Sequence, residues 1–214
     1  MKFFKNGELP PQAHMWLIYG DGGTGKTTLF RKVPGEKKLL ISFDLSTDVL
    51  RGAKGIDVGI IELSDMPSIQ HNIEQLLNNA IRTYDTIGLD NVSSLQNMVL
   101  ENIDGASKDG RQNYQKLQLW FRSMGTMLRQ SNVNVYATAH QVDKGPEFMQ
   151  GRFTADMNEK TFNAFTSMFD VVGRIYIKDS ERMIDLDPEQ GNHAKNRLDD
   201  RKLIKANELF TEEK

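Results

Sequence analysis

The sequence predicts an α/β fold in which a mainly parallel, twisted β-sheet carries helices on both faces. Short apolar runs, typical of buried strands, alternate with amphipathic segments of helical period. A glycine-rich turn follows the first apolar run directly. Towards the C-terminus the pattern changes, because two apolar runs flank the polar turn "KDSE" and so indicate an antiparallel hairpin.

Four apolar runs are the predicted strands of the parallel sheet. They cover residues 15–20, 38–43, 86–90 and 133–139. Because parallel strands need long crossover connections, the segments between these runs must recross the sheet, usually as helices. The runs 171–177 and 182–186 are the two predicted strands of the C-terminal hairpin.

Helical spacing of apolar residues identifies the crossovers. Two sets recur on single faces: Ile69, Ile73, Leu76, Leu77 and Ala80, and then Tyr114, Leu117, Phe121, Met124 and Leu128. Asp65 and Pro67 are typical of the start of the first of these helices. A further short helix is predicted near 160–168.

These elements predict one domain over residues 15–200, with an N-terminal segment, 1–14, and a polar C-terminal tail, 201–214. We expect the tail to form a surface helix or to fray. Two long polar stretches, 102–113 and 142–160, interrupt the domain. Loops of this length inside a compact domain are usually functional or disordered.

The composition restricts the classes of protein to be considered. The 214 residues carry a net charge of -2 and no cysteine, which excludes a disulfide framework and a thiolate zinc site. No apolar run approaches the length of a membrane span, and the N-terminus lacks the apolar core of a signal peptide. We therefore expect a cytoplasmic protein that has no membrane partner.

The stretch "GDGGTGKTT", residues 20–28, has the G-x-x-x-x-G-K-[ST] spacing of a phosphate-binding loop between a strand and a helix. Its glycines let backbone N–H groups converge on phosphate oxygens, and the helix N-terminus adds partial positive charge. We expect Lys26 to reach the β- and γ-phosphates of ATP and the Thr27 hydroxyl to ligate Mg²⁺. All nine residues are candidate nucleotide-binding residues: Gly20, Asp21, Gly22, Gly23, Thr24, Gly25, Lys26, Thr27 and Thr28.

Carboxylates at strand ends are the candidates for magnesium binding and for water activation. Asp90 closes the strand 86–90 and is the predicted second magnesium residue, with a strand-end cap as the alternative. Asn91 follows it, so the group that activates water must come from elsewhere. Asp44 ends the neighbouring strand, at the edge where such sheets bind ligands, and we predict that it orients the attacking water. A capping or turn role stays open for Asp44, and Asp48 is the reserve candidate.

His140 and Gln141 form a polar pair at the end of the strand 133–139. Such a pair can sense the γ-phosphate and pass its presence to the loop that follows. The alternative is a histidine whose hydrogen bonds are satisfied by the local backbone.

The order of these parts resembles that of the RecA-like ATPases over about residues 15–200. The triplet "KNR", 195–197, resembles the KNRFG motif of the bacterial RadA/Sms proteins and the KNR-type motif of DnaB-like helicases. The small size resembles the phage-encoded RecA-like proteins, including the single-strand annealing type. This sequence differs from the family in having Asp44 where a glutamate is usual, and Leu198 and Asp199 in place of the phenylalanine and glycine.

The resemblance implies a RecA-like P-loop ATPase that works as an oligomer with active sites shared between subunits. Lys195 and Arg197 of one subunit would reach the γ-phosphate held by its neighbour, and Asn196 would point away or cap a turn. The alternative is a solvated basic stretch that Asp199 and Asp200 neutralise.

The resemblance also implies single-stranded DNA as a ligand and a role in phage recombination or strand annealing in the host cytoplasm, with a single-strand binding protein as a candidate partner. The two polar stretches would then face DNA through Lys108, Arg111, Lys144, Arg152, Lys160 and the base-stacking rings of Phe148 and Phe153. Flexible loops without a ligand are the alternative for these stretches. For the whole protein, the alternatives are a nucleotide-gated regulatory module with little hydrolysis and a small-molecule kinase.

Overall fold

The computed structural model describes residues 3–148, 151–188 and 191–211. The strands are β1 (Met15–Gly20), β2 (Lys38–Ser42), β3 (Ile56–Ile60), β4 (Thr86–Asp90), β5 (Asn134–Ala139), β6 (Gln141–Asp143), β7 (Phe153–Ala155), β8 (Val171–Lys178), β9 (Glu181–Asp185), β10 (Lys195–Asn196) and β11 (Leu203–Lys205). The α-helices are α1 (Lys26–Leu29), α2 (Ile69–Ala80), α3 (Val92–Glu101), α4 (Gly110–Ser131) and α5 (Glu159–Thr166). In the ranges described, no helix combines the length and the apolar character that crossing a membrane requires.

Within these ranges nine strands join in one sheet, in the order β11, β9, β8, β1, β5, β4, β2, β3, with β10 paired to β8. Strands β8, β1, β5, β4, β2 and β3 are parallel to their neighbours in this series. Strands β9, β10 and β11 are antiparallel additions at one side. The predicted fold class is therefore confirmed: a mainly parallel sheet of the RecA-like P-loop type with a C-terminal antiparallel hairpin.

The core lies on both faces of the sheet, because successive residues of a strand point to opposite sides. On β1, Leu17 and Tyr19 pack into the cluster formed with helices α2 to α5. Trp16 and Ile18 pack into a second cluster on the other face. This second face is covered by the short helix α1 and by the C-terminal segment, so it carries much less helix than the first.

Several elements lie outside the sequence-based prediction, among them β3 and α3. Strand β3 lacks a continuous apolar run because it is an edge strand, with Val58 and Ile60 exposed. Helix α3 begins two residues after β4 ends, so the sequence does not mark it off as a helix of its own. The polar stretches are also more ordered than predicted, since α4 begins at Gly110 and the strands β6 and β7 pair with each other inside the second stretch.

The C-terminal segment differs from the predicted polar tail over 201–214. Residues 203–205 form β11, which extends the sheet by pairing with β9. Ile204 and Leu209 are buried, and the Phe210 ring packs edge-on against Trp16 with 5.2 Å between ring centroids. The physical reason is that the second face of the sheet has little helix to cover it, so this segment supplies the missing apolar contacts. Residues 212–214 lie outside the described ranges.

The substitution Ile204→Ala tests whether β11 belongs to the folded domain. It should lower the free energy of unfolding by about 2–5 kcal/mol, because it removes a buried side chain from the core. The matched control is Leu203→Ala, whose side chain is half exposed on the same strand and should cost about 0.5 kcal/mol or less. Urea denaturation measures both, and equal midpoints for the two variants would contradict the placement of β11.

Candidate active site

The phosphate-binding loop leaves the carboxyl end of β1 and ends at the start of α1. Gly23 and Gly25 have φ angles of 77° and 94°, in the left-handed region that glycine adopts without steric cost. A Cβ atom on Gly20 would lie 2.3 Å from the carbonyl oxygen of Ile175, so close packing against β8 requires glycine there. A Cβ on Gly22 or Gly23 would meet no described atom within 4 Å and would project into open space.

The Lys26 side chain folds back over this loop and is buried. Its Nζ donates hydrogen bonds of 2.8 Å to the carbonyl oxygens of Gly20 and Asp21. Burial lowers the pKa of Lys26, while the nearby charges of Asp90 and Asp21 favour its protonated form. The ammonium group is therefore held beside the loop, where phosphate oxygens can replace the two carbonyls as its partners.

The Asp90 carboxylate is buried at the junction of β4, β5 and α1. Its Oδ2 accepts a 2.7 Å hydrogen bond from the Thr27 hydroxyl, and its Oδ1 accepts one from the Thr138 hydroxyl on β5. Burial raises the pKa of Asp90, and the two hydroxyl donors oppose that effect. The sequence analysis chose Thr27 from the loop motif and Asp90 from its position at a strand end. Their direct hydrogen bond shows that the two side chains lie together.

A cleft of about 350 Å³ opens beside these groups. It is lined by Gly22, Gly23, Gly25, Lys26, Thr27, Thr28, Asp44, Ser46, Val49, Asp90, Asn91, His140 and Arg182. The donor set fits a nucleotide with Mg²⁺, because the cleft joins a backbone cradle and a lysine to a hydroxyl and carboxylate pair of hard oxygen ligands. Thr27 and Asp90 would hold the metal ion, and Lys26 would contact the phosphates.

Asp44 and His140 line the same cleft and meet on the side chain of Asn91. The Asn91 Nδ2 atom donates to Asp44 Oδ2 and lies 3.1 Å from Nε2 of His140. The second oxygen of Asp44 accepts a 3.0 Å hydrogen bond from the backbone N–H of Ser46. Asp48 instead pairs with Arg51 on the surface, so its carboxylate does not line the cleft.

The comparisons with known proteins agree with this geometry. The family model described as an AAA domain matches residues 12–198. The chain belongs to the AAA domain family. Together with the phosphate loop, this membership makes the chain a P-loop ATPase.

Solved structures include similar folds. The KaiC-like protein of the hyperthermophilic archaeon Pyrococcus horikoshii superposes with a TM-score of 0.48 and 13% sequence identity, over 82% of this chain and 78% of that chain. No curated protein matches the sequence.

In this AAA-domain ATPase, Gln141 connects the phosphate loop to the β6–β7 ribbon, the antiparallel pair of residues 141–143 and 153–155. Its Nε2 donates a 3.0 Å hydrogen bond to the Asp21 carboxylate, and its Oε1 accepts one of 2.8 Å from Arg174. The Arg174 guanidinium lies over the Phe153 ring, 3.3 Å from its centroid. The pair predicted from sequence is therefore split: His140 faces the nucleotide cleft, and Gln141 faces the ribbon.

The structure does not bring Lys195 and Arg197 to this chain's own cleft. Strand β10 pairs with Val171 and Val172 at the start of β8, whereas the phosphate loop lies beside Ile175 further along that strand. The Lys195 Nζ donates a 2.7 Å hydrogen bond to the carbonyl oxygen of Thr166, and burial lowers its pKa to about 8. Arg197 is exposed.

Asn196 caps the turn that follows β10. Its Oδ1 accepts a 3.0 Å hydrogen bond from the N–H of Leu198, and its Nδ2 donates one of 2.7 Å to Asp199. Asp199 also pairs with Arg201 at 2.7 Å, so these partners of its carboxylate are residues other than the two cations Lys195 and Arg197.

Sequence reasoning missed four residues of the site. They are Thr138, Asn91, Arg174 and Arg182. Polar residues inside the apolar strands "VYATA" and "VVGRIYI" were the available signal for Thr138 and Arg174. Arg182 gave no signal, because only the hairpin brings its Nε within 3.1 Å of the Thr24 carbonyl oxygen.

Two of the predicted DNA-facing residues have partners within the chain. Arg152 binds both carboxylate oxygens of Asp143 at 2.7 Å, and this pair lowers the pKa of Asp143 to about 2. The Phe153 ring is half-buried between Arg152 and Arg174. Lys144 and Phe148, in contrast, are exposed on the segment between β6 and β7.

The substitution Thr138→Val tests the support of Asp90. Losing one donor to the buried carboxylate should weaken Mg²⁺-dependent nucleotide binding by about 10-fold, the scale of a hydrogen bond to a charged group. Calorimetric titration with and without Mg²⁺ measures this effect. The matched control is Thr86→Val, which removes a buried hydroxyl at the far end of β4 and should leave affinity unchanged. Equal affinities for the two variants would contradict the assigned role of Thr138.

Proposed function

We propose that this protein binds and hydrolyses ATP as an oligomer and acts on single-stranded DNA, in phage recombination or strand annealing. The observation that carries the ATPase part is the Thr27–Asp90 hydrogen bond in a cleft that also contains Lys26, Asp44 and His140. A module that binds ATP without hydrolysing it would need only Thr27, Asp90 and Lys26.

The chain's own residues divide the work by position. Backbone N–H groups of the phosphate loop and Lys26 bind and orient the phosphates. Mg²⁺, when bound by Thr27 and Asp90, supplies positive charge that offsets charge developing on the transferring phosphoryl group. Asp44 lies on the same cleft and orients the attacking water, and His140 lies beside it.

Replacing Asp44 tests the water-orienting role. Asp44→Asn should keep ATP binding and slow turnover by roughly 10²-fold or more, the scale of general-base catalysis. Asp48→Asn is the matched control, because Asp48 is a surface residue in the same loop and should retain wild-type turnover. Loss of turnover in Asp48→Asn with no change in Asp44→Asn would move the role to Asp48.

Arg197 is the stronger candidate for a residue that acts on a neighbouring subunit. It is exposed and lies at the opposite end of β8 from its own phosphate loop, so within one chain it has no route to the nucleotide. Lys195 is half-buried and already bound to Thr166, which assigns it first to the packing of β10 against α5. Arg197 would therefore contact the γ-phosphate bound by the next subunit, and Lys195 would hold β10 in place.

Mixing two inactive variants tests this arrangement. Lys26→Ala removes the pocket's lysine but leaves Arg197 intact, while Arg197→Ala has the reverse defect. Because an arginine supplied in trans can contribute on the order of 10³-fold or more in rate, each variant alone should be nearly inactive. The mixture should regain part of the ATPase activity, in a way that depends on mixing ratio and falls on dilution.

The control for this experiment is the double variant Lys26→Ala/Arg197→Ala mixed with Arg197→Ala, which offers no intact arginine and should recover nothing. If mixed oligomers form but the first mixture also stays inactive, Arg197 does not act on the neighbouring subunit.

Two things support DNA as the ligand: the resemblance to single-strand annealing proteins, and exposed side chains on the segment between β6 and β7. Lys144 and Phe148 combine a cation for the backbone with a ring for stacking. The ribbon is linked to the phosphate loop through Arg174, Gln141 and Asp21, which offers a route by which nucleotide and DNA could affect each other. A single-strand binding protein is a candidate partner for this role.

Removing two exposed lysines tests the DNA surface. Lys144→Ala with Lys160→Ala should weaken binding to single-stranded DNA and flatten its salt dependence, because fewer counterions are released. Fluorescence anisotropy at several salt concentrations measures both effects. The charge-matched control replaces Lys37 and Lys54, which precede β2 and β3 at the other end of the sheet. Equal salt slopes for the two double variants would contradict this DNA surface.

A nucleotide-gated regulatory module with little hydrolysis is the second candidate. One observation favours it: both carboxylate oxygens of Asp44 already have partners, in Asn91 and Ser46. Turnover measured with and without single-stranded DNA separates the two candidates, since only the hydrolase should show substantial turnover with DNA.

A further inference from the structure

Asn91 occupies a central position that the phosphate-loop motif does not explain. It follows Asp90 directly, it is 1% exposed, and its side chain contacts three different groups. Its Oδ1 accepts a 2.8 Å hydrogen bond from the backbone N–H of Ser94, which makes Asn91 the N-cap of α3. Its Nδ2 faces Asp44 and His140.

The cap fixes which way round the Asn91 amide lies. A backbone N–H only donates, so the Asn91 atom bonded to Ser94 must be the oxygen. The amide nitrogen therefore points at Asp44 and His140, and it carries two hydrogens. An ionised carboxylate accepts one of them.

The second hydrogen determines the state of His140. Because Asn91 Nδ2 is a donor, the His140 Nε2 atom 3.1 Å away must present a lone pair. An imidazole that accepts at Nε2 is neutral and carries its proton on Nδ1. A protonated His140 would place two donors against each other and lose this contact.

Capping alone does not require asparagine here. Serine and aspartate are equally good N-caps, yet aspartate has no donor for Asp44, and the serine side chain is too short to bridge two neighbours while capping. Only the amide group accepts from the helix and donates twice into the cleft.

We propose that Asn91 is a positioning residue that joins the Asp44 carboxylate and the Nδ1–H tautomer of His140 into one unit facing the nucleotide. The catalytic part of this inference rests on the proposed function, in which Asp44 orients water. The structural part, which concerns the tautomer of His140, does not depend on hydrolysis.

The informative variant is Asn91→Ser, because serine keeps a cap for α3 and removes the bridge. Its matched control is Asn158→Ser, the same change at the N-cap of α5, where the asparagine side chain accepts from Thr161 and does not line the cleft. Thermal melting of both variants close to that of the wild-type protein establishes that both caps are retained.

The first readout is the ¹⁵N spectrum of the histidine rings at about pH 8, above the ordinary imidazole pKa. In the wild-type protein and in Asn158→Ser, His140 should show an unprotonated Nε2 and a protonated Nδ1. In Asn91→Ser that preference should be lost, with the Nε2–H form appearing. An unchanged His140 spectrum in Asn91→Ser would overturn the bridge.

The second readout is steady-state kinetics. Asn91→Ser should lower kcat by about 10-fold to 100-fold, the scale expected when a reacting group is misplaced, with little change in ATP affinity. Asn158→Ser should keep the wild-type kcat. A wild-type kcat in Asn91→Ser, despite a changed tautomer, would overturn the positioning role. Absence of ATPase activity in the wild-type protein would instead contradict the proposed function, and the ¹⁵N spectra would still decide whether the bridge exists.

Discussion

The buried carboxylate of Asp90 is the interaction on which the rest of the site depends. It lies where β4, β5 and α1 meet, and hydroxyl groups from Thr27 and Thr138 occupy its two oxygens. A buried charge without such donors would be neutralised or would destabilise the fold. The same contacts therefore satisfy the carboxylate and bring the phosphate loop against the carboxyl end of β4.

The strand order makes this junction possible. Because β5 lies between β1 and β4, the carboxyl ends of all three strands converge on one small region. The phosphate loop comes from β1, Thr138 and His140 come from β5 and its end, and Asp90 comes from β4. Asp44 joins them from the end of β2, which is the next strand across the sheet.

The basic triplet, residues 195–197, lies away from this junction. Its strand runs antiparallel along β8 and ends at the beginning of that strand, away from the phosphate loop. Arg197 therefore lies away from the phosphate loop of its own chain. In the function proposed above, the nucleotide that Arg197 contacts belongs to a second copy of the chain.

Elements with a strong local signal can be predicted from the sequence alone. The phosphate loop needs a fixed spacing of glycines, lysine and threonine, and the main strands and the long amphipathic helices have strong periodicity, so their types and approximate positions were predictable. The strand-end residues Asp44, Asp90 and His140 could also be predicted as candidates, because parallel strands place their carboxyl ends at one edge of the sheet.

The pairing of those groups and the place of the polar C-terminal segment depend on the folded arrangement. Asn91 bridges Asp44 and His140 because three segments distant in sequence converge, and Arg182 reaches the phosphate loop only through the hairpin turn. Residues 201–214 were predicted to be a polar tail because charged and polar residues outnumber the apolar ones there. In the structure, Ile204 and Leu209 cover a sheet face that the short α1 leaves open. Such contacts depend on which surfaces remain uncovered once the sheet has formed. A local pattern of residues cannot predict which surfaces these are.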